Sequence, residues 1–249
     1  MKHKLLVPLF ALFFASSTFA DSSNSEFIAS VKAEYRKGNY KKALEIALPF
    51  AENENSEAQF IVAELYDVGG YGIKKDIKQA FYWYSKSAEN GHAAAQNNVG
   101  WIYKEGIAVN TDLNRAVYWL EKSANQGHID AYVNLAFLYE NGIGVSQNLE
   151  KAIEFYIKGL EGGNLTAYYS IANLLFNGRG VEKNTSKAIK LFTYAAESGH
   201  LDAQYNLGVI YLNGISVEKN IDKAIYWFRK SAAQGDFESV KVLRKIQKN

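Results

Sequence analysis

A phrase of the same make-up returns three times in this chain: YWYSKSAENGH at 82–92, YWLEKSANQGH at 118–128 and YWFRKSAAQGD at 226–236, at spacings that are multiples of 36 residues. A site is built once from unlike parts, whereas a unit recurring at fixed spacing is architecture: each copy is one supersecondary element that buries its apolar face only against its neighbours. From Ala58 the pattern runs through five units, the first carrying one extra residue in its Asp67–Gly70 turn.

Ten positions define a unit. They begin with an alanine (58, 95, 131, 167, 203), a small residue (Ala63, Gly100, Ala136, Ala172, Gly208), a tyrosine (66, 103, 139, 211) and a glycine (70, 106, 142, 178, 214). A branched aliphatic (Ile73, Val109, Val145, Val181, Val217) and an Asp or Asn (76, 112, 148, 184, 220) follow. The second half has an alanine (80, 116, 152, 188, 224), a large apolar residue (Trp83, Trp119, Phe155, Leu191, Trp227), another alanine (88, 124, 196, 232) and a closing glycine (91, 127, 163, 199, 235). Only Leu160, Leu175 and Leu191 depart from these rules.

The spacing predicts two helices per unit. Ala224, Trp227, Phe228, Ser231 and Ala232 fall at i, i+3, i+4, i+7 and i+8, one face of a helix. The Asp/Asn series suits an N-cap, its side-chain oxygen accepting from an otherwise orphaned amide. The two glycine series suit left-handed C-caps, where a side chain clashes. Alanines let helices approach, and the large apolar residue is expected to fill the gap between them.

Composition bounds the rest. MKHKLLVPLFALFFASSTFA reads as a signal peptide, residues 1–20, cleaved after Ala20, so an exported protein, periplasmic or secreted, is expected. Its apolar run is too short to span a membrane, and none of the later segments is continuously apolar. The formal net charge of +2 is accounted for by Lys2 and Lys4 in that leader, which argues against a nucleic-acid partner. Lys241, Arg244, Lys245 and Lys248 cluster only as the solvated end of a last helix. There is no cysteine, so neither disulfides nor a lipoprotein anchor contribute.

Strings such as AQYNLGVIYLNGISVEKNIDKAIYWFRKSAAQG at 203–235 resemble the Sel1-like repeat family, relatives of the tetratricopeptide repeat with a longer turn between the helices. The resemblance implies an all-α, right-handed solenoid. The units would be 56–92, 93–128, 129–164, 165–200 and 201–236, after a tetratricopeptide-like capping pair at 21–55 and before a capping helix at 237–249. It also implies a non-catalytic interaction scaffold for a protein or peptide partner, in envelope function or host interaction.

His92, His128 and His200 occupy one equivalent turn position, about 10 Å apart between adjacent units, too far to share a metal ion. Some relatives are cysteine-rich proteins linked to penicillin binding or β-lactam hydrolysis. The defining cysteines are missing, however, and Ser216 to Lys219 is an S-x-x-K without its companion motifs. No glycine-rich phosphate loop follows a strand. Neither catalytic residues nor a cofactor or metal are expected; a cell-wall or β-lactam enzyme and a glycan-binding module are the competing classes.

Function is expected where the units differ. Trp101 lies outside the tryptophan register, at a first-helix position whose equivalents are Glu64, Phe137, Asn173 and Val209. In the related tetratricopeptide fold this position lines the concave groove, as does the one four residues earlier, here Phe60, Asn97, Val133, Tyr169 and Tyr205. Carried over, the candidate groove is Phe60, Glu64, Asn97, Asn98, Trp101, Val133, Asn134, Phe137, Tyr169, Asn173, Tyr205 and Asn206. The asparagines suit either hydrogen bonds to the adjoining unit or ligand contacts. The aromatics suit either exposed anchors for a peptide, with ring stacking on a sugar polymer as an alternative, or rings buried by superhelical coiling. Lys104, one turn on from Trp101, is expected to lie outside the aromatic set.

Overall fold

The computed structural model describes residues 22–70 and 72–247; the expected leader and its cleavage point lie outside them. Among the described residues there are thirteen α-helices and no strand, only a Gly70–Ile73 bridge in the first turn. Helices α1 (Ser22–Arg36) and α2 (Tyr40–Glu52) form the leading pair. Five pairs follow: α3 (Ser56–Val68) with α4 (Ile77–Glu89), α5 (Ala93–Glu105) with α6 (Leu113–Asn125), α7 (Ile129–Asn141) with α8 (Leu149–Glu161), α9 (Leu165–Asn177) with α10 (Thr185–Glu197), and α11 (Leu201–Asn213) with α12 (Ile221–Ala233). Helix α13 (Phe237–Ile246) closes the array. Each helix packs on its sequence neighbours, and the core runs as four consecutive clusters along the chain. That is the arrangement of a solenoid.

The caps follow from local chemistry. Asp76, Asp112, Asn148, Asn184 and Asn220 accept amide hydrogens at the starts of α4, α6, α8, α10 and α12. Gly106, Gly142, Gly178 and Gly214 end the first helices in the left-handed conformation, as expected. In the first unit the extra residue moves the cap from Gly70 to Gly69, whose added Cβ would lie 2.7 Å from the Lys75 backbone nitrogen. Two histidines cap with their side chains too, whereas Nδ1 of His128 is buried without a partner. Nδ1 of His92 accepts from the Ala95 amide at 3.2 Å, and Nδ1 of His200 from the Ala203 amide at 3.3 Å. Asn55, Asn164 and Asp236 do the same work in other units.

One packing expectation is corrected. The side chain enclosed between helices is the residue after the large apolar slot: Tyr84, Leu120, Tyr156, Phe192 and Phe228 are all at most 3% exposed. Trp83 and Trp119 are only half-buried, and among the slot tryptophans Trp227 alone is buried. A helix advances about 100° per residue, so adjacent large residues cannot both face the centre of one groove.

Polar ties that the repeat pattern did not reveal join the units. Gln59, Gln96 and Gln204 each donate to a carbonyl of the preceding helix, Ala51, Ala88 and Ala196 respectively, at 2.9–3.1 Å. They accept in turn from Asn90, Gln126 and Gln234 at 2.7–3.0 Å. In the third and fourth units tyrosines replace these glutamines: Tyr132 stacks on Phe155 with centroids 6.2 Å apart, and Tyr168 meets Tyr194 at 4.4 Å.

Candidate functional site

The first helices α3, α5, α7, α9 and α11 bring equivalent residues into rows, because neighbouring units repeat one geometry. The structure divides the candidate groove residues into two classes. Phe60, Asn97 and Val133 are buried. Phe60 stacks on the His92 ring at 4.4 Å and meets Tyr84 at 5.8 Å. Tyr169 repeats this arrangement against His200 at 4.7 Å and Phe192 at 5.8 Å, and Tyr205 packs on Phe228 at 5.7 Å. The row of 60, 97, 133, 169 and 205 therefore packs between helices and units, the buried of the two alternatives for its rings, with Tyr169 and Tyr205 left half-buried.

The asparagines make structural hydrogen bonds. Asn134 Nδ2 donates to Asn97 Oδ1 at 2.8 Å, bridging α7 to α5, and Asn97 Nδ2 donates to Asn98 Oδ1 at 3.4 Å. Asn98 also hydrogen-bonds the Tyr84 side chain. Asn173 and Asn206 both hydrogen-bond the Tyr169 side chain, whose hydroxyl burial pushes up. Asn173 Nδ2 additionally donates to the Tyr169 carbonyl at 3.2 Å.

The second row, 64, 101 and 137 with Asn173 and Val209, keeps a different character. Phe137 is 41% exposed. Trp101 is half-buried, and its Nε1 is enclosed with no hydrogen-bond partner. Lys104 does not stand apart from these rings: its Nζ lies 3.9 Å from the Trp101 centroid and 5.1 Å from that of Phe137. Its side chain is only 13% exposed, and the ammonium also pairs with Glu105. The ring faces are electron-rich, so this ammonium is held by cation–π attraction as well as by a carboxylate. Trp101 is thus no bare anchor; it is one wall of a filled cation site.

Glu64 heads the same row, partly buried in α3. Burial, then the charges of Glu57 and Asp67, push its carboxyl up to about 8. Those neighbours have partners of their own: Glu57 Oε2 lies 2.9 Å from His92 Nε2, and Asp67 Oδ1 lies 3.5 Å from Lys75 Nζ. Sequence reasoning placed Glu64 in the row but missed its burial, although both acidic neighbours, Glu57 and Asp67, lie on the same helix α3.

The competing chemistry gains no geometry. Ser216 is exposed in its turn, in a left-handed conformation with φ of 58°. Among the described residues no group of three or more His, Cys, Asp or Glu lies close enough to hold a metal ion, and no helix is long and apolar enough to cross a membrane.

Comparison with known proteins agrees with the repeat geometry. The Sel1 repeat profile matches residues 56–92, 93–128, 129–164, 165–200 and 201–236. Among solved structures, the chain is similar to a Sel1 repeat protein from Oxalobacter formigenes, with 31% identity over 87% of this chain and 86% of that one, at a TM-score of 0.79. It is also similar to c5321, a protective antigen of uropathogenic Escherichia coli strains displaying an SLR fold: 30% identity, 86% of this chain, 47% of that one, TM-score 0.69. The immunity protein Pa5087 from Pseudomonas aeruginosa shares the fold at 18% identity over 82% of this chain and 81% of that one, TM-score 0.57. None of the curated proteins matches.

Proposed function

Because this chain is a Sel1 repeat protein, we propose that it is an exported, non-catalytic scaffold that holds a protein or peptide segment along its first-helix wall. Proteins built from these repeats generally serve protein interaction, whereas the fold alone does not name a partner. The observation that carries the reading is Phe137. It is a large aromatic left 41% exposed on the first-helix row, beside the ring of Trp101. An aromatic on a wall preformed by rigid helices loses little entropy on binding and makes a suitable anchor. A role in envelope function or host interaction accords with the expected leader, and the antigenic relative from uropathogenic Escherichia coli is compatible with it.

The test is affinity capture from envelope and culture fractions with the purified protein, comparing wild type with Phe137→Ala and Trp101→Ala. A specific partner should bind wild type and be weakened by about 2 kcal/mol or more by Phe137→Ala, while the helical circular dichroism and melting of that variant stay unchanged. Trp101→Ala should weaken binding in the same direction, but it also removes packing under Lys104, so its melting must be read beside its affinity. Covalent labelling of the protein by a fluorescent penicillin would refute the non-catalytic reading.

A further inference from the structure

The row Glu64, Trp101, Phe137 shares one chemical preference. Its second and third members already hold an ammonium, that of Lys104, between two ring faces and beside Glu105. Its first member is a carboxyl on the same wall, and the charges acting on it are the carboxylates of Glu57 and Asp67. Asp67 is engaged by Lys75 and Glu57 by His92, whereas no hydrogen bond or ion pair to Glu64 is formed among the described residues. None of the equivalents of Glu64 in the other four units (Trp101, Phe137, Asn173, Val209) is ionisable, and the Lys104 ammonium farther along the wall already has Glu105 as its partner, so Glu64 is the acidic group of this row. A guest that brings a cation to Glu64 is complementary in charge once that carboxyl has lost its proton, and one that brings an apolar side chain to Phe137 covers the ring face left open.

We propose that the segment bound on this wall is a basic one, which sets a lysine or arginine side chain against Glu64 and an apolar side chain against Phe137. This rests on the scaffold reading above and specifies its partner class. Equivalent positions in adjacent units are about 10 Å apart, so Glu64 and Phe137 are separated by about 20 Å. An extended chain rises about 3.3 Å per residue, which places the basic and apolar residues about six positions apart. The guanidinium of arginine suits Glu64 best, since its planar fork meets both oxygens of a carboxylate.

The test uses short acetylated, fluorescein-labelled peptides on a glycine–serine background, each carrying one arginine and one leucine at graded spacings. Matched peptides carry citrulline, the neutral isostere, in place of arginine. Anisotropy is read with the full chain at alkaline pH, where Glu64 is ionised. Arginine peptides near the six-residue spacing should bind, and citrulline should weaken them by about tenfold, the scale of one recessed charge pair. Glu64→Gln should impose the same loss on the arginine peptide and leave the citrulline peptide unaffected. Gln has the shape of a neutral carboxyl, and an unchanged melting curve confirms that the variant is folded. Phe137→Ala should weaken both peptides.

Binding that depends on Phe137 but is equal for arginine and citrulline, or is indifferent to Glu64→Gln, overturns the basic-segment proposal while leaving the scaffold reading intact. Absence of binding by every arginine peptide also overturns it. If instead peptides bind and neither Phe137→Ala nor Trp101→Ala changes any affinity, the wall itself is not the binding surface and the scaffold reading falls at this site.

Discussion

The hydroxyl of Tyr156 donates to the Glu140 carboxylate at 2.9 Å, and Arg179, from the turn of the next unit, pairs with the other carboxylate oxygen at 3.0 Å. Burial, followed by the negative charge of Glu140, raises the phenol far above its ordinary range, so it remains a donor. The three residues join the third unit to the fourth through a charge that is only 16% exposed.

Tyr156→Phe should therefore destabilise the protein by about 1–2 kcal/mol, because it removes a hydrogen bond to a charged acceptor without opening a cavity. Arg179→Ala should cost less, since that guanidinium is half-exposed and its pair is screened by water. Urea unfolding of both variants checks the order; equal midpoints for Tyr156→Phe and wild type would remove the network from the account of stability.

Phe192→Ala should cost about 3–5 kcal/mol, as its ring is 1% exposed between helices. Trp119→Ala should cost distinctly less despite the larger side chain, because its indole is only half-buried. The reverse order in thermal melts would restore the tryptophan slot as the main packing position.

Two sets of groups tie stability to pH with opposite sign. Burial lowers the folded-state affinity of His128 and His200 for protons; Asp130 and Asp202 oppose this, and His92 adds to it at His128. The unfolded chain then binds more protons, so their contribution is complete above the ordinary histidine value of about 6.5 and is lost as pH falls below it. Protonation also ends the acceptor role of His200 Nδ1 at the Ala203 amide. Glu64, raised from 4.5 to about 8, does the reverse: the folded state holds the extra proton, and stability declines as pH rises from 4.5 through 8. Denaturation midpoints across pH 5 to 9 should show both limbs. Glu64→Gln should flatten the alkaline limb and exceed wild type at its upper end by about 1–3 kcal/mol. A parallel decline in that variant would place the alkaline loss elsewhere.

Ala108 and Ser216 adopt φ of 64° and 58° at the turn position where the third and fourth units have Gly144 and Gly180. An L-residue is strained there by about 1–2 kcal/mol. Part of this is offset by the extra freedom glycine has when unfolded. Ala108→Gly and Ser216→Gly should each raise stability by about 0.5–1 kcal/mol, read as a shift in Tm. A fall in Tm would mean that the side chains make compensating contacts in these turns.

The 36-residue period, the helix boundaries and most of the caps were legible in the sequence by itself. Each is written within a few residues: Asp112 caps an amide three residues on, and Gly142 turns the chain where a Cβ is disfavoured. Recurrence in five copies made these local signals unmistakable. Tertiary structure alone decided which of two adjacent large residues is enclosed, Leu120 rather than Trp119, because that depends on the angle at which neighbouring helices meet. It also decided that Lys104 lies across Trp101 and Phe137, that Phe60 is packed rather than displayed, and that the Glu64 carboxyl is partly buried. The contacts of Lys104 with Phe137 and of Phe60 with His92 join residues about one repeat apart in sequence. Such distances are set by the stacking of units, a quantity that residue types and their spacing do not encode.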